Sequence, residues 1–96
     1  MTGQPRKIDT ILMDRVQIIQ SIAEANSRML RLNQKASGLM VLDMKDARDG
    51  VEDHAHDAAQ AQTDAALAET LETINTLEAR LSSLDEELAD AMKEQG

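Results

Sequence analysis

The stretch KDARDGVEDHAHDAA, residues 45–59, decides whether this chain is one long helix or two helices that fold back on each other. Gly50 follows a turn that carries two basic residues, which is typical of a helix C-terminus, where both glycine and positive charge are favourable. Asp49 precedes Glu52 by three residues, the spacing of a capping box with Asp in the place of Ser or Thr. The stretch therefore predicts a turn formed by Asp49, Gly50 and Glu52.

On either side of this stretch, seam residues recur at alternating spacings of three and four, as in a helix that packs along one face. The C-terminal seam consists of Leu67, Thr70, Ile74, Leu77, Leu81, Leu84, Leu88 and Ala91. The N-terminal seam consists of Ile8, Ile11, Arg15, Ile18, Ile22, Ala25, Met29, Leu32, Ala36, Leu39 and Asp43. The two seams are out of phase. A turn explains this, and a four-residue stutter in one continuous coiled coil would also explain it.

A reversal at residues 49 and 50 places opposite each other those residues whose numbers sum to 99, such as Ile11 and Leu88. Each seam position from Ile8 to Leu32 then faces a position of the other seam, which favours the hairpin. A turn at residues 37 and 38 would leave helices of unequal length.

We therefore expect an all-α, coiled-coil-like antiparallel two-helix hairpin that associates into a four-helix bundle dimer. The predicted boundaries are a flexible N-terminus at 1–5, a first helix at 6–48, a turn at 49–50 and a second helix at 51–94, all within a single domain, 6–94.

The composition agrees with an elongated helical protein. Among its 96 residues there is no Phe, Tyr or Trp, and there are one proline and four glycines, so aromatic core residues and chain breakers are both scarce. There is no cysteine, which excludes disulfides, thiolate chemistry and cysteine-based zinc sites.

The charge argues against nucleic acid as a partner, because phosphate binding needs a basic face and the net charge is -8. The distribution is uneven. Residues 1–48 carry eight Lys or Arg against five acids, whereas residues 49–96 carry two against thirteen. The two halves are therefore expected to attract each other, within one chain or between chains.

The sequence contains no apolar run long enough for a membrane span of about 18 residues. Near the N-terminus, Asp9, Asp14 and Arg15 interrupt the apolar residues, so that a signal peptide is not predicted. We expect a cytoplasmic protein without a membrane span, with export by a signal-less route as the alternative.

The histidines do not form a metal-binding pair. His54 and His56 are two residues apart, so on a helix they point to different faces. Glu52 and His56 do have i,i+4 spacing, and Asp43 is predicted to face His56 across the hairpin. We expect no metal ion or cofactor, and we expect His56 either to pair with Asp43 or to be solvated. The alternative is a weak metal or pH sensor at the bend, built from Asp43, Glu52 and His56.

Hydrophobic residues exceed what one helix pair can bury. The segment GLMVLDM, residues 38–44, places apolar side chains all around one helix. The residues expected to form a self-association or partner surface are Leu12, Ile19, Leu39, Met40, Leu42 and Met44. Met and Leu adapt readily to a second copy or to a partner's amphipathic helix.

No catalytic motif is present, and a two-helix rod is not expected to form a concave active site, so we expect a non-enzymatic protein. In general look the chain is similar both to small acidic helical chaperones and to structural subunits of bacterial secretion systems or phages. We expect such a chaperone or adaptor, which buries a partner's amphipathic helix. The alternative is a self-assembling structural subunit, such as a coiled-coil rod or a phage or secretion component.

Overall fold

In a computed structural model, which describes residues 7–50 and 56–95, the chain forms two long α-helices. Helix α1 spans Ile8–Arg48 and helix α2 spans Asp57–Gln95. The helices pack against each other in antiparallel orientation, in a rod with principal extents of 71 × 18 × 14 Å. The predicted all-α helical hairpin is therefore confirmed.

Helix α1 begins at Ile8, two residues after the predicted start, and ends at Arg48. Lys7 precedes it with extended backbone angles, and Asp9 places negative charge in the first turn, where the helix dipole favours it. At the other end, Asp49 donates its backbone N–H to the carbonyl of Lys45. These groups satisfy part of the hydrogen bonding that a helix end leaves open.

Gly50 ends α1 with a φ angle of 77°, in the left-handed region that glycine adopts without steric cost. Its N–H donates to the carbonyl of Ala47 at 3.2 Å, as in a glycine C-cap. Asp49 is the C-cap of α1. Its predicted role as N-cap of the second helix involves Glu52, which lies outside the described residues. The predicted start of the second helix at residue 51 also lies there, and α2 is described from Asp57.

The seams of α1 and α2 face each other. Every described seam residue is buried or half-buried, including the predicted seam members Ile11, Ile18, Ile22, Leu32, Leu67, Ile74, Leu77, Leu81, Leu84 and Leu88. The tightest cluster contains Ile11, Ile18, Leu84 and Ala91, at the end of the rod remote from the bend. Burial of these aliphatic side chains supplies most of the energy that holds the hairpin closed.

Towards the bend the seam contains small and polar residues. Thr63 and Thr70 are buried, and their hydroxyls donate to the carbonyls of Ala59 and Ala66, one turn earlier on the same helix, at 2.8 and 2.7 Å. These hydroxyls are therefore satisfied without reaching α1. Because such side chains bury less apolar surface than leucine or isoleucine, the bend end of the hairpin has the thinner core.

Neither helix of the described residues contains a segment that is both long enough and apolar enough to cross a membrane.

Candidate interaction surface and bend cluster

A second stripe runs along α1, beside the seam and facing solvent. We call it the outer stripe. Its members again alternate at spacings of four and three, and they are Leu12, Val16, Ile19, Ala23, Asn26, Leu30, Asn33, Ser37, Met40 and Met44. All ten are exposed, and none carries a charge. Since 29% of the whole chain is charged, a stripe of ten exposed residues without one charge is a distinct surface.

The apolar members of the outer stripe are large. Val16 is 50% exposed and Met44 is 66% exposed, and Leu12, Ile19, Leu30 and Met40 have comparable values. A helix with one apolar face needs one partner, whereas α1 has two such faces, and α2 covers only the first. The outer stripe is therefore the part of α1 that lacks a partner within the described hairpin.

The residues predicted to form the association surface divide between three places. Leu12, Ile19, Met40 and Met44 lie on the outer stripe. Leu39 is half-buried in the seam. Leu42 is exposed but lies on the other side of the seam, so the predicted set is not one continuous surface.

Val16 and Leu30 were not predicted as members of this surface, because the seam was widened only after Ile11, Ile18 and Leu39 and not after Arg15 and Met29. The signal was present, since Val16 lies four residues after Leu12 and three before Ile19.

A matching stripe on α2 lies beside its own seam, and its members are Ala61, Asp64, Ala68, Leu71, Asn75, Glu78, Ser82, Asp85, Ala89 and Met92. In an antiparallel helix pair, the positions that follow the two seams flank the same side. The outer stripe and the α2 stripe therefore share one face of the rod. On α2 this face carries small residues, the exposed Leu71 and Met92, and only negative charges.

The opposite face of the rod is polar. A groove on that face is lined by side chains of both helices, among them Ser21, Glu24, Arg28, Arg31, Glu69 and Thr73. Charges of both signs line the groove, in contrast to the outer stripe. The hairpin thus has one face with charges of both signs. On its other face, the half that α1 contributes is the uncharged outer stripe.

Arg15 occupies a seam position and yet carries a charge. Its Nε atom lies 2.7 Å from Oδ1 of Asp85 on α2. Asp85 adjoins Leu84, the residue that faces Arg15 when facing numbers sum to 99, so the ion pair agrees with the predicted register. The N–H of Nε is not aligned for a hydrogen bond, so the contact is an ion pair of modest directionality. The Arg15 side chain is 31% exposed, because its stem packs in the seam and its head reaches the edge.

At the bend, three side chains with metal-ligand chemistry come together. One ligand atom each from Asp43, Asp46 and His56 lies within 4.8 Å of the others, and all three residues are half-buried. His56 Nε2 is 3.4 Å from Asp46 Oδ2. Asp43 does lie near His56, as the hairpin register predicts, but the ion-pair partner is Asp46, one turn further along α1, and not Asp43. Glu52, the third member of the predicted alternative site, lies outside the described residues.

These features define the class of molecule as an antiparallel helical hairpin with one unpartnered apolar stripe and one carboxylate–histidine cluster at its bend. Comparison of the chain with protein-family models, curated proteins and solved structures finds no match.

Proposed function

We propose that the protein is a non-enzymatic protein–protein interaction module, which buries the outer stripe of α1 against a second copy of the hairpin to form a four-helix dimer. The observation that carries this proposal is the outer stripe itself: exposed, uncharged and with the same alternating spacing as the seam that α2 already covers.

The absence of charge matters because burial of an unpaired charge opposes association, whereas burial of apolar surface drives it. Six large apolar side chains of the stripe keep roughly half of their surface exposed. Completing their burial contributes on the order of 1 kcal/mol for each side chain to the free energy of association. The neutral Asn26, Asn33 and Ser37 in the middle of the stripe form hydrogen bonds across an interface without the desolvation cost of an ion.

The size of the face is also sufficient. The rod is 71 Å long and 18 Å wide, so one face offers on the order of 1,000 Å². A standard stable interface takes about 800 Å² from each partner. A second copy of equal length covers this face from end to end, which a short peptide does not.

The charges favour one arrangement of the two copies. Helix α1 carries six basic and five acidic residues, whereas α2 carries two basic and ten acidic residues. Two α2 helices placed side by side would repel each other. We therefore propose that α1 of each copy lies against α2 of the other. The outer stripe then packs on the small and apolar members of the partner's α2 stripe, such as Ala68 and Leu71, while the acids of that stripe stay in water at the rim of the interface.

Sedimentation equilibrium tests the proposal. We expect the wild-type protein to sediment at twice its chain mass of 10.5 kDa at micromolar concentration. Ile19→Glu should give the mass of one chain, because it places a charge in the stripe. Val41→Glu is the matched control, since Val41 is also a large exposed apolar residue of α1, at 64% against 45% for Ile19, but lies outside the stripe. A monomeric wild type, or a dimer that survives Ile19→Glu, would refute the proposal.

A second candidate function is a chaperone or adaptor that accepts a partner's amphipathic helix on the same stripe. Exposed Met40 and Met44 near the bend favour it, because unbranched thioether side chains adapt to different partners. The two functions differ in whether a partner helix competes with the second copy for the outer stripe. A partner helix should bind with one helix per hairpin and displace the second copy, whereas a structural dimer should show no dissociation in the presence of such helices.

A further inference from the structure

We propose that Asp43, Asp46 and His56 form a binding site for a divalent transition-metal ion, and that Zn²⁺ bound there fastens the bend end of the hairpin. The site is independent of the outer stripe, so it stands or falls separately from the proposed dimer.

The two carboxylates are held together by α1. Asp43 and Asp46 are three residues apart in the last turns of the helix, so they project from one face. Both are half-buried at the bend end of the seam. Asp43 has no hydrogen bond or ion pair with any other residue in the described ranges 7–50 and 56–95.

The third ligand comes from the other side of the bend. His56 immediately precedes α2, and its backbone carbonyl accepts a hydrogen bond from the N–H of Gln60 in the first turn of that helix. This bond fixes the backbone of His56 relative to α2. A metal ion that binds His56 together with Asp43 and Asp46 therefore connects the end of α1 to the start of α2.

The distances suit a tetrahedral ion. Zinc binds imidazole nitrogen and carboxylate oxygen at about 2.0–2.2 Å, so two ligand atoms on one tetrahedral ion lie about 3.3–3.5 Å apart. His56 Nε2 and Asp46 Oδ2 are 3.4 Å apart. All three ligand atoms lie within 4.8 Å of one another, so Asp43 needs only a small side-chain adjustment to complete three corners.

The ligand set selects the class of ion. An imidazole nitrogen suits zinc, copper, nickel and iron, whereas magnesium and calcium prefer oxygen atoms alone. Three protein ligands leave one position for water, and an ion placed between the two carboxylates removes their mutual repulsion.

Because the adjacent seam contains Thr63 rather than a large aliphatic residue, a link at this end strengthens the weaker part of the hairpin.

Calorimetric titration of the full chain with ZnCl₂, together with the visible absorption of Co²⁺ as a tetrahedral reporter, tests the site. We expect one ion per chain and a rise in melting temperature on addition of zinc. Asp43→Asn, Asp46→Asn and His56→Gln should each weaken binding by at least about tenfold and abolish that rise. Circular dichroism of each variant verifies that the helices remain.

The matched controls are Asp64→Asn, an exposed acid of α2, and His54→Gln, the other histidine of the chain. Both should bind zinc like the wild type. Two results would overturn the proposal: no saturable binding by the wild type, or binding that persists in all three site variants, which would place the ion elsewhere on this acidic chain. The same titration on Ile19→Glu should give an unchanged affinity.

Discussion

Arg15 of α1 and Asp85 of α2 form an ion pair between the two helices, in the half of the hairpin remote from the bend, with Nε of Arg15 2.7 Å from Oδ1 of Asp85. The two residues are 70 positions apart in the sequence, so their contact identifies the register in which the helices face each other. A charged residue at a seam position reduces the apolar burial there, but it disfavours shifted registers in which Arg15 would have no acid beside it.

The contribution of this ion pair is measurable by a double-mutant cycle with Arg15→Gln and Asp85→Asn. Because both side chains are partly exposed, at 31% and 52%, we expect a coupling free energy of about 0.2–1 kcal/mol. The control cycle combines Arg15→Gln with Glu86→Gln, a substitution at the exposed neighbour of Asp85, and it should give no coupling free energy. Equal coupling in both cycles would mean that the free energy of unfolding depends only on the total charge of α2 and not on the Arg15–Asp85 contact.

Adjacent isoleucines on α1 are expected to have different roles. Ile18 is 7% exposed in the seam, whereas Ile19 is 45% exposed on the outer stripe. In dilute protein, Ile18→Ala should lower the free energy of unfolding by about 2–4 kcal/mol, because it leaves a cavity between the helices. Ile19→Ala should change it by less than about 1 kcal/mol and act instead on the dissociation constant of the dimer. Denaturant unfolding at several protein concentrations separates these effects, and equal losses for both variants would contradict this division.

Thr70 offers a test of the polar seam near the bend. Its buried hydroxyl bonds to the carbonyl of Ala66 and contributes nothing to the contact with α1. Thr70→Val exchanges that hydroxyl for a methyl group in the seam, and we expect a gain in stability of up to about 1 kcal/mol. Thr73 makes the same bond, to Glu69, but is exposed, so Thr73→Val should change stability by less than about 0.5 kcal/mol. Thermal melting of both variants measures the difference, and a destabilised Thr70→Val would show that the hydroxyl is needed where it is.

The two described glycines should respond to alanine with opposite signs. Neither has an atom within 4 Å of an added Cβ, so only the backbone decides the outcome. Gly50 has a φ angle of 77°, and Gly50→Ala should destabilise the hairpin by about 1–2 kcal/mol. Gly38 lies within α1, and Gly38→Ala should stabilise it by about 0.5–1 kcal/mol, because glycine loses more backbone entropy in a helix. Chemical denaturation is the measurement, and a common sign would contradict the assignment of Gly50 as the C-cap glycine.

The periodic part of this fold could be predicted from the sequence, because alternating spacings of three and four have a direct geometric meaning. They identify the seam and, through the pairing of the two seams, the reversal of the chain. Arg15 could be placed beside Asp85 in this way, since the register is fixed by many residues at once.

The bend could be predicted only in part. Gly50 is recognisable because few residues tolerate a positive φ angle, but side-chain pairing next to it depends on the path of the connection between the helices. The sequence rule paired His56 with Asp43, whereas the structure places it nearest Asp46, at the next seam position of α1. For this reason the predicted alternative site contained Asp43 and His56 but not Asp46.

The outer stripe was missed in part for a different reason. When only one repeating stripe is sought, the apolar residues outside it are not tested for a repeat of their own. Val16 and Leu30 were therefore not recognised as part of the same stripe as Leu12 and Ile19. Only the described packing shows that α2 leaves this whole side of α1 exposed.

The most direct test of the proposed interaction surface compares two valines of α1 in unmodified protein. Val16 lies on the outer stripe and Val41 does not, and both are largely exposed in one hairpin, at 50% and 64%. Methyl NMR with a soluble paramagnetic agent measures how closely solvent approaches each side chain. We predict that at high protein concentration the Val16 methyls relax several-fold more slowly than those of Val41, and that dilution removes the difference. Equal relaxation of the two valines at every concentration would contradict the account.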